Sequence, residues 1–189
     1  TLVYSYTGSL FTYMYSHAWI DFRKLMDDKI NYWENSIKAI KANRQYCINN
    51  KDKFSTYDED CWGITASLGP DGYKAYGAKP GLGLHDGTIA PCAAISSMPF
   101  YGEYAMRAAR SMYEKYGDRL YWKYGFKDSF NLTRNWWAKD YLGIDQGIIV
   151  LMIENARSGM VWDYFMKNDA IKRWYLKCLT TQSSCPTVE

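Results

Sequence analysis

The sequence predicts an all-α fold, and three observations carry that reading. Apolar residues recur at three- and four-residue spacing over several long stretches, the pattern of a helix with one buried stripe. Alternation with period two is almost absent, so strands are expected to be minor. One stretch is apolar all round its middle, and such a helix is expected to be enclosed by others in a layered helical assembly.

The elements follow in chain order. Residues 29–49 place Ile30, Trp33, Ile37, Ile40 and Cys47 on one stripe, with Asp27 and Asp28 at the start to complement the helix dipole. Pro91 suits the first turn of a short helix near 88–97, where a missing N–H costs little. Pro99 restarts the chain into a helix over 100–116, with Tyr101, Tyr104, Ala105, Ala108 and Met112 as its stripe and Gly117 as its stop. Residues 145–157 form the all-round apolar helix, ending at Ser158-Gly159. The last helical stretch runs from 160 to about 179, with a break near Asn168-Asp169. Trp33, Tyr104 and Trp174 lie on these stripes and read as core.

With 189 residues, 48% hydrophobic and 23% charged, the chain is long and apolar enough to bury a core, and disorder is excluded as its main state. The longest apolar run, Ile148–Ile153, is far too short to span a bilayer. A net charge of +3, from 23 basic and 20 acidic residues, argues against nucleic acid as a partner. Aromatic residues make up 17%, which means a heavy core, a site that stacks on flat ligands such as sugar rings, or both. Five cysteines lack any CxxC pair, and His17 and His85 are far apart, so no metal site is expected. Cys178 and Cys185 are close enough in sequence to close a small loop; otherwise the cysteines read as small buried residues. The chain begins at Thr1 in an already patterned stretch, so it reads as a piece of something longer or a processed product.

Residues 62–87 hold seven of the 14 glycines, with Pro70, Pro80, Trp62, Tyr73 and Tyr76 among them. A structureless connection of this length inside a domain is usually functional, and glycine lets backbone approach a ligand closely. The pattern is neither a dinucleotide fingerprint nor a Walker loop.

Specific blocks sharpen this. Cys61-Trp62-Gly63-Ile64-Thr65-Ala66-Ser67, Gly69-Pro70 and Gly72-Tyr73 resemble the WGxTASxGPxGY block of the glucoamylase-like family of glycoside hydrolases. Asp86-Gly87-Thr88-Ile89-Ala90-Pro91, Gly125-Phe126-Lys127-Asp128-Ser129-Phe130-Asn131, Ile144-Asp145-Gln146-Gly147 and Met152-Ile153-Glu154-Asn155 resemble later blocks, and Ser16–Arg23 resembles an upstream one. Ala156 and Ile148 depart from it, standing where the family has Tyr and Pro. The resemblance covers nearly the whole chain. It implies an (α/α)6 toroid acting on β-glucan, most specifically β-1,2-glucan, or a transglycosylase domain like that of cyclic β-1,2-glucan synthases. A toroid needs twelve helices and about six or seven are legible here. Residues 1–189 are therefore expected to be the C-terminal part of one such domain, completed by an upstream half or a second chain. The resemblance further implies an oligo- or polysaccharide partner, no cofactor, and a periplasmic or secreted location. A non-catalytic sugar-binding or assembly module is the reading from another class.

Glycosidases of this kind use two carboxyl groups. Asp86, Asp145 and Glu103 are the candidates here, with the principal acid expected in the upstream half. Asp86 reads as a sugar ligand or a cap of the helix near Thr88, Asp145 as a rim carboxylate or an N-cap, and Glu103 as a first-turn residue. Asp128 reads as a cap, and Glu154 as the partner of Arg157. Trp62, Tyr73, Tyr76, Thr88, Gln146, Arg134, Trp136 and His17 are the candidate sugar contacts; of the adjacent Trp136 and Trp137, at most one can face a site. Asn131-Leu132-Thr133 fits a glycosylation sequon, which is without meaning in a bacterial host.

Overall fold

A computed structural model describes residues 2–26 and 30–182, with side chains of the last helix as far as Cys178. Asp27 and Asp28, expected to complement a helix dipole, and Cys185, one end of the loop that Cys178 could close, lie outside the described residues. Among the described residues there are seven α-helices and three small hairpins. The helices are α1 (Phe11–Met14), α2 (Tyr32–Asn49), α3 (Pro91–Ile95), α4 (Met98–Leu120), α5 (Gly143–Arg157), α6 (Met160–Phe165) and α7 (Asp169–Gln182). A 3₁₀ turn, Ser16–Ala18, follows α1. None of the helices is long and apolar enough to cross a membrane.

The helices fall close to where periodicity puts them, and local chemistry sets their ends. Asn31 begins α2 by accepting the Glu34 N–H at 2.9 Å, two residues later than the stripe suggests. Pro91 sits at the first turn of α3, as its missing N–H allows. Gly117 does not stop α4, which runs to Leu120 and is interrupted instead at Tyr101 (φ −148°, ψ 47°). Gly159, at φ 72°, separates α5 from α6.

The core joins Leu10, Met14, Ile40, Ile64, Ile89, Met112, Leu120, Phe130, Ile148 and Met152 with Trp62 and Tyr76, all essentially buried. The thiols of Cys47, Cys61 and Cys92 are buried in it too. Two bonds tie the early 3₁₀ turn to α6 and α5, and a third joins α6 to α5. Trp162 Nε1 donates to the His17 carbonyl at 2.6 Å, Asn155 Nδ2 to the Ala18 carbonyl at 2.9 Å, and the Trp162 N–H to Asn155 Oδ1 at 3.2 Å.

The expectation for α5 needs correction. Only Asp145, Ile148, Met152 and Asn155 are buried, while Val150 is 65% exposed and Ile144 and Ile153 are also open. Its apolar circumference is only half covered within this chain. Trp174 is likewise exposed, meeting Phe22 edge-on at 6.4 Å, rather than core.

The glycine-rich segment is ordered rather than structureless. It carries the hairpin β1 (Ser67–Gly69) and β2 (Gly72–Lys74), with Leu68 opposite Tyr73. Several of its glycines admit close-packed protein: a Cβ on Gly69 would collide with the Tyr76 hydroxyl, and one on Gly77 with the Thr7 carbonyl. The other hairpins are β3–β4 (Tyr121–Trp122, Gly125–Phe126) and β5–β6 (Phe130–Asn131, Trp136–Trp137).

Candidate active site

Ile89 and Phe130 exchange backbone bonds, N–H to carbonyl at 3.0 and 2.9 Å, and this pairing brings the 86–88 turn against residues 128–131. Two aspartate clusters flank it.

The first is built on Asp86. Its Oδ1 accepts from the Thr88 N–H (3.0 Å), the Thr88 hydroxyl (2.6 Å) and Asn131 Nδ2 (3.3 Å), and its Oδ2 accepts from the Tyr76 hydroxyl (3.1 Å). Asn131 Nδ2 also reaches the Asp86 carbonyl and the Thr88 hydroxyl. A carboxylate offers about four acceptor directions. Here four donors use nearly all of them, so Asp86 organises a turn. It caps no helix, since α3 begins at Pro91 after Ala90. Asp86 is half-buried, and Tyr76 and Thr88, fully buried beside it, do not line an open surface, contrary to the expectation for both. The buried Asn131 side chain is committed to the same cluster, so the sequon there is closed to a glycan.

The second cluster pairs Asp128 with Asp145. Asp128 Oδ2 accepts from the Leu68 N–H at 2.7 Å and the Ser129 hydroxyl at 3.3 Å, while its Oδ1 has no donor. Asp145, in the first turn of α5, leaves its Oδ2 without a donor as well. Both residues are buried. The two carboxyls lie close enough for Asp128 to shift the titration of Asp145. Burial, followed by the nearby carboxyl of Asp128 and its charge, pushes Asp145 from 3.8 up to about 7. The buried Cys92 thiol, in the first turn of α3, lies near Asp145; burial and both carboxylates drive it well up, so it stays protonated. Tyr73, 60% exposed on β2, lies in the field of the same pair: burial of part of its ring, then Asp145 and Asp128, raises its phenol. A carboxyl that takes up a proton near neutral pH, close to an exposed phenol, can exchange a proton there, and the phenol can hydrogen-bond a hydroxylated ligand.

Around this pair, Gln146 Nε2 donates to the Phe126 carbonyl at 2.7 Å and fastens the β3–β4 hairpin to α5. Arg134 grips Asp71 with two bonds of 2.7 and 3.0 Å across the exposed end of the β1–β2 hairpin.

Other expected site residues lie elsewhere. Trp62 is fully buried in the core and offers no face to a sugar. His17 is buried among Phe22, Trp33 and Phe100. Ser36 spends its hydroxyl proton on the Tyr13 carbonyl, so His17 Nε2 is the donor in their 3.1 Å bond. Burial, partly offset by Asp21, lowers His17 to about 4, so it is a neutral structural residue. Glu103 is exposed on α4, beyond the first turn and just past the Tyr101 interruption. Trp137 stacks on Phe130 at 5.2 Å (10° between planes), and Trp136 opens to a surface groove with Asp118, Arg119 and Lys127. Glu154 pairs with Arg157 at 3.0 Å as read.

Sequence reasoning missed Cys92 and misread Asp128 as a cap, although no helix follows it; β5 does. The run Asp128-Ser129-Phe130-Asn131 lacks helical periodicity, and that signal argued against a cap. Among the described residues, no group of three or more His, Cys, Asp or Glu could hold a metal ion.

Comparison with known proteins agrees with these blocks. Residues 1–169 match the family model described as "Putative glucoamylase". Over 166 residues the chain is 39% identical to an exo β-1,2-glucooligosaccharide sophorohydrolase (non-reducing end) of Parabacteroides distasonis, covering 88% of this chain and 23% of that protein. It superimposes on an endo-β-1,2-glucanase from Chitinophaga pinensis, solved with sophorotriose and glucose, with TM-score 0.85 and 40% identity over 93% of this chain and 41% of that one. A β-1,2-glucanase from Parabacteroides distasonis gives TM-score 0.84 and 37% identity over 92% of this chain and 24% of that one. The chain thus spans between a quarter and two-fifths of these relatives. Its helices are part of the (α/α)6 toroid that they share. The chain belongs to the family of that glucoamylase model.

Proposed function

We propose that this chain is the C-terminal part of a glycoside hydrolase unit that cleaves β-1,2-linked glucan. An upstream half of the toroid, or a second chain, completes it. The observation that carries the reading is the Asp128–Asp145 pair beside exposed Tyr73, in a chain 37–40% identical to proteins named for β-1,2-glucan hydrolysis. Both carboxyls are buried, so Asp145 supplies its proton to the site by way of exposed Tyr73, which bonds a sugar hydroxyl, while Asp128 holds Asp145 in place and tunes it. The second carboxyl group that such chemistry needs comes from the upstream half. We also propose a periplasmic or secreted location, since a polymeric glucan meets its hydrolase outside the cytoplasm; cell fractionation tests it.

The test uses the complete protein. Reducing-sugar release from β-1,2-glucan is expected, with short β-1,2-linked oligomers as products. Release from starch-type α-glucan with none from β-1,2-glucan overturns the substrate. Full activity of Asp145→Asn overturns the role of the pair.

A further inference from the structure

The β3–β4 hairpin exposes more aromatic surface than its packing needs. Trp122 is 74% exposed and Tyr113, on α4, 54%; Tyr121 is 41% exposed and meets Tyr113 edge-on at 5.1 Å. Between α4 and the hairpin these rings line a surface groove of about 570 Å³, with Glu114 and Asp118 on its wall. Gly117 keeps the α4 side of the groove low, its nearest neighbour in space being the Tyr113 ring. Asp118 also borders the neighbouring groove that contains Trp136, so flat rings flank the last turns of α4 on both sides.

Flat apolar faces beside exposed carboxylates and the Lys115 ammonium suit one ligand chemistry especially well. A pyranose ring presents C–H faces to stack on aromatics and equatorial hydroxyls to donate to carboxylates. The groove is also joined to the candidate active site. Phe126, at the end of the hairpin, accepts the bond from Gln146, the neighbour of Asp145, and Asp128 follows two residues later.

From this geometry we infer a second glucan-binding site, on the Tyr113–Tyr121–Trp122 groove, that holds a distant stretch of the chain being cut at the Asp128–Asp145 pair. The inference rests on the reading of that pair as part of a glucan hydrolase. A site of this kind acts only on substrates long enough to reach it, and it acts mainly on binding.

The experiment compares the complete wild-type protein with Trp122→Ala, Trp122→Tyr and Tyr113→Ala. Each is assayed on long β-1,2-glucan and on a three-glucose β-1,2 oligomer, and calorimetry with the polymer follows binding. Trp122→Ala is expected to lower kcat/KM on the polymer roughly three- to tenfold, through KM, and to leave the trimer unchanged. Tyr113→Ala should act in the same direction, and Trp122→Tyr should keep most of the wild-type value. Equal losses on both substrates, or none on the polymer, overturn the site. A clear fall in Tm for Trp122→Ala overturns it too, by assigning this face to packing against the rest of the protein. If the wild type cleaves no glucan, the hydrolase reading fails separately. Calorimetry with β-1,2-, β-1,3- and α-1,4-glucans then decides the groove: binding that Trp122→Ala abolishes keeps it, and no binding overturns it.

Discussion

Asp86 and Asp128 look alike in the sequence, each preceding a small residue in a block with little periodicity, and each reads as a possible cap. In the fold they differ in what surrounds them. Asp86 receives four donors and organises the turn that holds Tyr76, Thr88 and Asn131 together. Asp128 receives two donors on one oxygen and leaves the other buried without one, near the second carboxyl of Asp145. Donor supply, not residue type, separates a structural carboxylate from a reactive one: a carboxylate with its acceptor directions filled has nothing left to exchange, whereas a buried carboxyl short of donors beside another is pushed toward taking up a proton.

That contrast can be broken by experiment. The largest expected effect is on turnover. Asp145→Asn in the complete protein should lower kcat on β-1,2-glucan by about 10²- to 10⁴-fold, the usual worth of a positioned acid or base. The same variant should fold at least as well as the wild type at pH 8, because it removes a buried charge facing Asp128; thermal melts check this.

Asp86→Ala should show the reverse balance, with a loss of stability of about 2–4 kcal/mol by urea titration, since buried donors from Thr88, Tyr76 and Asn131 lose their acceptor. Asp86→Asn should lose less. A large loss of turnover without loss of stability in Asp86→Asn would move this residue into the reactive class.

A smaller effect concerns pH. Asp145 is raised from 3.8 to about 7, so the folded state holds a proton that the unfolded state has released, and this group's stabilisation falls as pH rises from about 4 to 7. His17 is lowered from 6.5 to about 4, so its contribution falls as pH drops across much of the same window. The two slopes oppose each other. Melts of Asp145→Asn between pH 4 and 7 should therefore show stability rising with pH, more steeply than the wild type. Parallel curves for the two proteins would show that the Asp128–Asp145 pair does not titrate there.

The smallest effect is at the rim. Arg134→Ala removes two bonds to Asp71, but both groups are exposed, so Tm should not change measurably. A weaker KM for glucan without a change in Tm would add Arg134 to the sugar contacts.

Several features were legible from residues alone because they depend on neighbours a few positions away. The stripes of α2 and α4, the Pro91 start of α3 and the Gly159 break each follow from local geometry. The family blocks were legible for the same reason, being short and contiguous. Trp62 and Tyr76 were misread as sugar platforms because an aromatic ring in a glycine-rich segment has no local signature of burial. Their cover comes from distant residues such as Tyr101, 6.4 Å from Trp62, and the Asp86 turn.

The sequence by itself therefore determined the helical class, the approximate element positions, the family resemblance and the kinds of group available for chemistry. Periodicity, caps and block order are properties of adjacent residues. Only the tertiary structure decided which carboxyls meet, which aromatics are spent in the core, and that Val150 on an all-apolar helix stands open. Those outcomes depend on contacts between segments far apart in the chain, where donors, charges and packing partners are supplied or withheld by the fold.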